Sequence, residues 1–431
     1  MESLKKERVS WYIYDWANSA FSTSVITVFI GPYLTGIAEK AADSTGYLNV
    51  LGIPVFSGSY FAYVISISVI LQVLVLPFLG SIADNSNLKK RLLGLFAYIG
   101  SFSTIGFYFL EGDNYLLGGL LLIVANLSFG ASAVMYNAYL NDISQPDRRD
   151  AVSSIGWAIG YIGGGVNLGL NLVLFSFREQ LGIDTGFAVR ICLVSAGIWW
   201  AMFTIIPMIY LRTRGKALAP GTKLLKNSFA KLLSTIKDAR NHPQTLILLC
   251  AYLLYNDGVQ AVITLSAQFG VKEISLSMQS LTILILMIQF VAFGGALLFN
   301  RIAKRFSTRD AIIFALILWI GVVVYSYGFL RGEFDFYIVG VIIGIIMGGT
   351  QALSRSIYSR AIPAGQEAEY FSLYEVSEKG TSWMGPLVFG LSLQLTESYR
   401  YAILSLVIFF VVGLILLLKF KETKNVSATV N

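Results

Sequence analysis

Apolar runs of roughly 20 residues recur from one end of this chain to the other, each close to the length that crosses the ~30 Å hydrocarbon core of a bilayer. Within hydrocarbon a backbone satisfies its amides only in a helix or a closed barrel, so unbroken runs of this length point to an all-α polytopic membrane protein. Composition agrees. Of 431 residues 55% are hydrophobic and 13% charged, about half the ~25% charge of a soluble chain. Twelve transmembrane helices are expected, near 11–36, 60–83, 92–110, 115–140, 153–177, 188–211, 244–270, 276–298, 311–330, 334–360, 370–395 and 399–419. The first run holds Asp15 and Asn18 and continues to about Leu34, so it does not read as a cleavable signal peptide.

Twelve spans put both termini on one side, and the basic residues indicate which. Of 32 Lys and Arg, 25 lie at the termini or in the loops on their side, six in the opposite loops, and Lys379 within a span. Positive charge stays in the cytoplasm, so both termini and the central segment are expected there. The expected division is an N-terminal six-helix bundle over 1–211, a cytoplasmic central loop over 212–243 and a C-terminal six-helix bundle over 244–431. Two readings fit the basic stretch Lys223–Arg240: an amphipathic helix on the anionic leaflet, or a solvated linker whose charge sets topology.

Several function classes are disfavoured. The net charge of +7 sits mostly in short loops, which does not suggest nucleic acid. Cys192 and Cys250 lie in apolar runs and the single histidine, His242, in a loop. With no His/Cys metal spacing, nucleophile–base pairing or Gly-rich phosphate loop, neither a metal, a cofactor nor an enzyme is expected.

The halves repeat each other. "PFLGSIADNSNLKKR" after span 2 and "LLFNRIAKRFSTRD" after span 8 make similar hydrophobic-to-basic transitions, offset by 220 residues. "YDWANSAF" in span 1 aligns with "NDGVQAVI" in span 7, matching Asp15 to Asp257 and Asn18 to Gln260. The offset there is 242, because the first half carries an extra stretch within about 37–59. Six-plus-six duplication of this kind marks a large class of secondary transporter.

On these residues the chain resembles the major facilitator superfamily, whose fold is two pseudo-symmetric six-helix bundles. Gly80 and Asp84 followed by Lys89, Lys90 and Arg91 are similar to that superfamily's gating-loop signature. Within it, "YDWANSAF" (14–21), "GWAIGYIGG" (156–164), "YNDGVQ" (255–260), "GGTQALSRS" (348–356) and "GQEAEYFSLYEVSEKGTSWMGPLVFG" (365–390) resemble the autophagy-related vacuolar amino-acid effluxer-like permeases. That resemblance implies solute permeation and, in the eukaryotic branch, efflux of amino acids from the vacuole. The second loop departs from the pattern: Lys304 stands where an acid is expected opposite Asp84.

The polar residues inside the spans are the candidate site. Asp257, Gln260, Thr264 and Gln268 form one helical stripe, with Asn256 beside it. An ionised Asp costs roughly 2.5–3.5 kcal/mol at the bilayer centre, so the stripe is expected to avoid lipid. It faces either a water-filled cavity between the halves or a neighbouring helix bonded to a protonated Asp257. Asp15, Asn18 and Ser22 repeat the stripe, and Gln351, Ser354, Arg355 and Tyr358 share a face of span 10. Asn167 and Asn171 sit one turn apart in span 5, after glycines that permit close helix packing. Asp84 with Lys89–Arg91 is either a conformational charge network or a topology signal.

In span 11, Glu375 and Lys379 are i,i+4 with the acid first, the favourable order for a helical ion pair. The charges of the second half then tally as Asp257, Glu375 and Glu378 against Arg355 and Lys379, three against two, which leaves one acid to carry a proton. The expected function is therefore secondary active transport of a small polar solute, an amino acid or related metabolite being favoured, by a proton-coupled monomer in the lipid bilayer. A sugar or peptidoglycan-fragment permease and a non-transporting sensor are the alternatives. The orientation is checked by impermeant thiol reagents on intact cells: a cysteine at Gly221 should resist them and one at Gly46 should react. The opposite pattern would invert the topology.

Overall fold

Membrane helices must bond all their own amides, and here that demand organises nearly the whole chain. The computed structural model describes residues 2–85, 87–144, 149–213, 242–361 and 382–421. Among these, eleven helices are long and apolar enough to span a bilayer, and a twelfth, Met384–Thr396, is apolar but shorter. The all-α polytopic class is thus observed. The first part of the eleventh expected span, 370–381, including Glu375, Glu378 and Lys379, lies outside the described residues, as does 214–241 of the central segment.

The first span is α1 (Glu2–Ala20), a π-helical segment (Phe21–Phe29) and α2 (Ile30–Ala41) in one continuous rod. Next come α3 (Tyr60–Asn85), α4 (Lys89–Gly106), α5 (Tyr115–Ile143), α6 (Arg149–Phe177) and α7 (Thr185–Tyr210). The later spans are α8 (Pro243–Ile274), α9 (Met278–Arg305), α10 (Thr308–Gly328), α11 (Glu333–Ala361) and α12 (Met384–Thr396), then α13 (Tyr399–Ser405) running into α14 (Val407–Lys419).

The extra stretch of the first half folds as a β-hairpin, which the sequence reading did not anticipate. Strand β1 (Tyr47–Val50) pairs antiparallel with β2 (Ile53–Phe56), Val50 opposite Ile53. The two-residue loop places Leu51 and Gly52 at φ 52° and 89°, the left-handed region that a tight hairpin turn requires. Gly46 also has positive φ, 82°, so the exposed neighbour Ser44 is a less strained site for the labelling cysteine.

Helices cross closely where glycine removes a side chain. A Cβ on Gly163 of α6 would fall 2.5 Å from the Trp16 carbonyl oxygen of α1, and one on Gly164 2.5 Å from Thr23 Oγ1. Gly163 and Gly164 therefore serve helix packing, as expected. In the later spans, Gly295 of α9 abuts the Ile345 backbone and Gly348 of α11 abuts that of Ala292. Gly163→Ala should therefore lower the melting temperature in detergent, because overpacking costs about 1–3 kcal/mol. Gly165→Ala, two residues on with nothing within 4 Å of its added Cβ, should be neutral or stabilising. Equal effects of the two changes would remove the packing argument.

Candidate functional site

The middle of α8 holds the Asn256–Asp257 pair, and the structure gives Asp257 a specific partner. Its side chain is 0% exposed. Oδ2 accepts a hydrogen bond of 2.9 Å from the backbone N–H of Gly385, in the first turn of α12. Helix N-termini leave amides without intrahelical acceptors, and the residue at this cap, Trp383, supplies no side-chain bond of its own. A carboxylate 128 residues away in sequence caps the helix instead. Its charge also suits the positive end of the helix dipole. The other carboxylate oxygen, Oδ1, and the Asn256 amide nitrogen are buried without a hydrogen-bond partner among the described residues.

Asp257 thus meets a helix end rather than an open cavity. Close approach requires glycine there: a Cβ on Gly385 would lie 2.5 Å from Ala261 Cβ and 3.4 Å from Asp257 Oδ1. A close acid–glycine approach also occurs in the first half. Asp15, half-buried on α1, faces Gly160 of α6, whose added Cβ would lie 3.1 Å from the carboxyl carbon. The internal match of Asp15 with Asp257 therefore extends to the surroundings of each. Asn18 is buried beside Asp15 on the same helix.

The rest of the α8 stripe divides. Gln260 and Thr264 are half-buried. Gln268 is buried and donates through Nε2 to the Gly58 carbonyl at 2.7 Å, with the Tyr399 hydroxyl at 3.3 Å. This contact belongs to a seal joining early and late spans at the end remote from the termini. Ser59 Oγ donates to the Gly390 carbonyl at 2.8 Å and Tyr63 to Gln394 Oε1 at 2.9 Å. Ser66 Oγ donates to the Trp383 carbonyl at 3.0 Å, and Lys272 pairs with Glu39. The hairpin joins in through the Tyr47 hydroxyl, 3.4 Å from the Gln394 carbonyl. Trp383 and Gly385 share one turn, so the seal reaches inward to the cap at Asp257.

Other polar groups form internal networks. Ser24, in the π-helical segment, donates to Asn167 Oδ1 at 2.7 Å; Asn171 and Ser195 extend the chain. Its run of Ser, Thr and β-branched residues disfavours a regular α-helix, and π-helical turns commonly accompany functional positions. On α11, Ser354 bonds Tyr255 of α8 at 2.7 Å and Tyr358 is buried, while Gln351 is half-buried. Arg355 lies on this helix, but its side chain is outside the described residues, as are those of Gly80 and Asp84 on α3. Lys89, expected to share a charge network with Asp84, pairs with Asp142 of α5 at 2.8 Å and bonds the Ala138 carbonyl. Lys90 is half-buried and Arg91 exposed. A separate cavity of about 100 Å³ lies farther along α8, with Thr27, Ser266 and Gln289 among mostly apolar walls. It is smaller than the roughly 300–1,000 Å³ of ordinary ligand pockets. Among the described residues no His/Cys/Asp/Glu group could hold a metal.

Spanning helices, the paired aspartates and a seal at one end of the bundle define a membrane transporter of the major facilitator type. Solved structures share this fold. The xylose transporter XylE from E. coli, in a partially occluded inward-open conformation, matches with TM-score 0.68 at 11% identity over 98% of this chain and 99% of that one. A crystal structure of the nucleoside transporter NupG matches with TM-score 0.65 at 15% identity over 96% and 98%. A family model described as "Vacuole effluxer Atg22 like" matches residues 3–428, and the chain belongs to that family. An uncharacterized MFS-type transporter, YxiO, of Bacillus subtilis (strain 168) is 32% identical over 97% of this chain and 95% of its own length. Autophagy-related protein 22-1 of Penicillium rubens is 26% identical over 98% and 91%.

The cap makes a stability prediction. Asp257→Asn keeps an acceptor for Gly385 and should leave the melting temperature within a few degrees of wild type. Asp257→Ala strands the amide and should cost about 1–3 kcal/mol. If Asn destabilises as much as Ala, capping is not the role of this side chain.

Proposed function

We propose that this protein is a secondary active transporter of a small polar solute, working by alternating access between two six-helix bundles, 1–211 and 244–431, with a proton as coupling ion. An amino acid or a related metabolite is the favoured solute. The observation that carries the reading is the fully buried Asp257 carboxylate on the first turn of α12, the turn that also receives Ser66 from the opposite bundle. A negative Asp257 is attracted to the helix N-terminus, and a protonated one much less so. Proton uptake therefore loosens the first turn of α12 and, through Trp383, the seal. An intramembrane carboxylate with this access-dependent charge suits proton relay.

With both termini and the central loop in the cytoplasm, as the positive charge favours, the sealed end faces outward and the conformer is inward-facing. Arg355, Glu375, Glu378 and Lys379 complete the proposed proton and substrate pathway with Asp15, Asn18, Asn256, Gln260 and Gln351. Gly80, Asp84, Lys89, Lys90 and Arg91 are the proposed gating loop, with Lys89 held by Asp142 in this conformer.

Proteoliposomes offered amino acids, sugars and peptidoglycan fragments, with and without a proton gradient, test this. Gradient-driven flux of an amino acid is expected from the wild-type protein. Asp257→Asn should lose that flux at least tenfold while retaining solute exchange, and Glu378→Gln should behave likewise if it holds the second coupling site. Undiminished gradient-driven flux in Asp257→Asn would refute the coupling role. Ligand-induced stabilisation without any flux would favour the sensor reading.

A further inference from the structure

A basic cleft of about 810 Å³ opens beside the first spans at the end where the chain begins, away from Asp257 and from the seal. Lys6 of α1, Lys90 in the first turn of α4 and Arg212, just past α7, line it together with Ile209 and Tyr210. Three separate elements thus bring cations to one place. Arg212 is held there by its backbone: the buried Leu211 bonds the Pro207 carbonyl, and the Tyr139 hydroxyl bonds the Arg212 carbonyl at 3.3 Å. Glu7, its side chain buried, approaches Arg212 with Oε1 3.7 Å from Nε. Among the described residues that line the cleft, three are cationic and none is acidic.

The apolar side of the cleft continues along α7. Ile198, Met202, Ile205 and Ile209 on α7 are all exposed, and their spacing of four, three and four residues makes one stripe along the helix. Eleven residues at ~1.5 Å each give about 16 Å, close to half of the ~30 Å hydrocarbon core and so to the depth of one leaflet. A basic cluster at the head of a leaflet-deep apolar stripe matches an amphiphile with an anionic head, not a soluble anion.

We propose that this cleft binds an anionic phospholipid, its phosphate on Lys6, Lys90 and Arg212 and an acyl chain along the α7 stripe. Basic pockets between membrane helices are suited to such headgroups, and each cation near the surface adds roughly fivefold to the affinity. The site shares Lys90 with the proposed gating loop, but lipid retention needs neither a solute nor a proton, so its failure and that of the transport reading are distinguishable.

Delipidated full-length protein in detergent, titrated with phosphatidylglycerol or phosphatidylcholine and read by native mass spectrometry, tests it. The wild-type protein should retain phosphatidylglycerol in preference to phosphatidylcholine. Lys6→Gln with Lys90→Gln should weaken that retention roughly 25-fold, whereas Arg301→Gln, an exposed cation at the end of α9, should not. Met202→Ser with Ile205→Ser should also weaken it. Lys6→Arg with Lys90→Arg should restore retention, which separates charge from folding. Equal retention of the two lipids, unchanged retention in the double Gln variant, or displacement by glycerol phosphate as effective as by the lipid would overturn the proposal.

Discussion

A single hydrogen bond from the Gly385 amide to the Asp257 carboxylate organises the centre of this protein. A helix that begins beside the middle of another membrane span cannot leave its first amides to water, because none is at hand in hydrocarbon. It needs an acceptor, and a carboxylate also matches the sign of the helix dipole. Burying that carboxylate is costly without such compensation. The bond to Gly385 compensates part of that cost, which gives a physical reason for an acid in a run that otherwise reads as pure membrane span.

The position of the cap gives it mechanical consequence. One residue before Met384, the Trp383 carbonyl accepts from Ser66, and farther along α12 Gly390 and Gln394 hold Ser59 and Tyr63. The helix is therefore clamped from both sides: by the second half's own α8 at its start, and by α3 along its length. Asp257 thus touches the same short rod that α3 holds. The equivalent acid, Asp15, faces Gly160 but lies within the first half, where Asn167, Asn171 and Ser24 supply a different polar network. An acid–glycine crossing is thus present in both halves, in two different settings.

Much of the candidate site was legible because spacing on a helix is a property of sequence. Asp257 and Gln268 were recognisable as one face, and both prove to be buried and engaged. The identity of their partners was not legible. Gly385 and Gly58 lie more than a hundred residues from them, and nothing local marks a glycine amide as a cap acceptor's target. The Lys89–Asp142 pair was not legible for a similar reason: it exists because the fold brings α5 alongside α4. The hairpin at 47–56 escaped because eight residues of strand between two membrane spans carry too little periodicity to stand out.

Run length, apolar content and the internal matches determined by themselves that this is a helical membrane protein built from repeated spans, since hydrocarbon leaves the backbone almost no alternative. They also determined which polar side chains had to avoid lipid. Only the tertiary structure decided what those side chains do instead. Asp257 caps α12, Gln268 latches the first half, and Lys6, Lys90 and Arg212 gather at one cleft, because such pairings depend on how distant helices cross. Those crossings rest on glycine contacts between helix backbones, a relation between two segments that neither segment encodes alone.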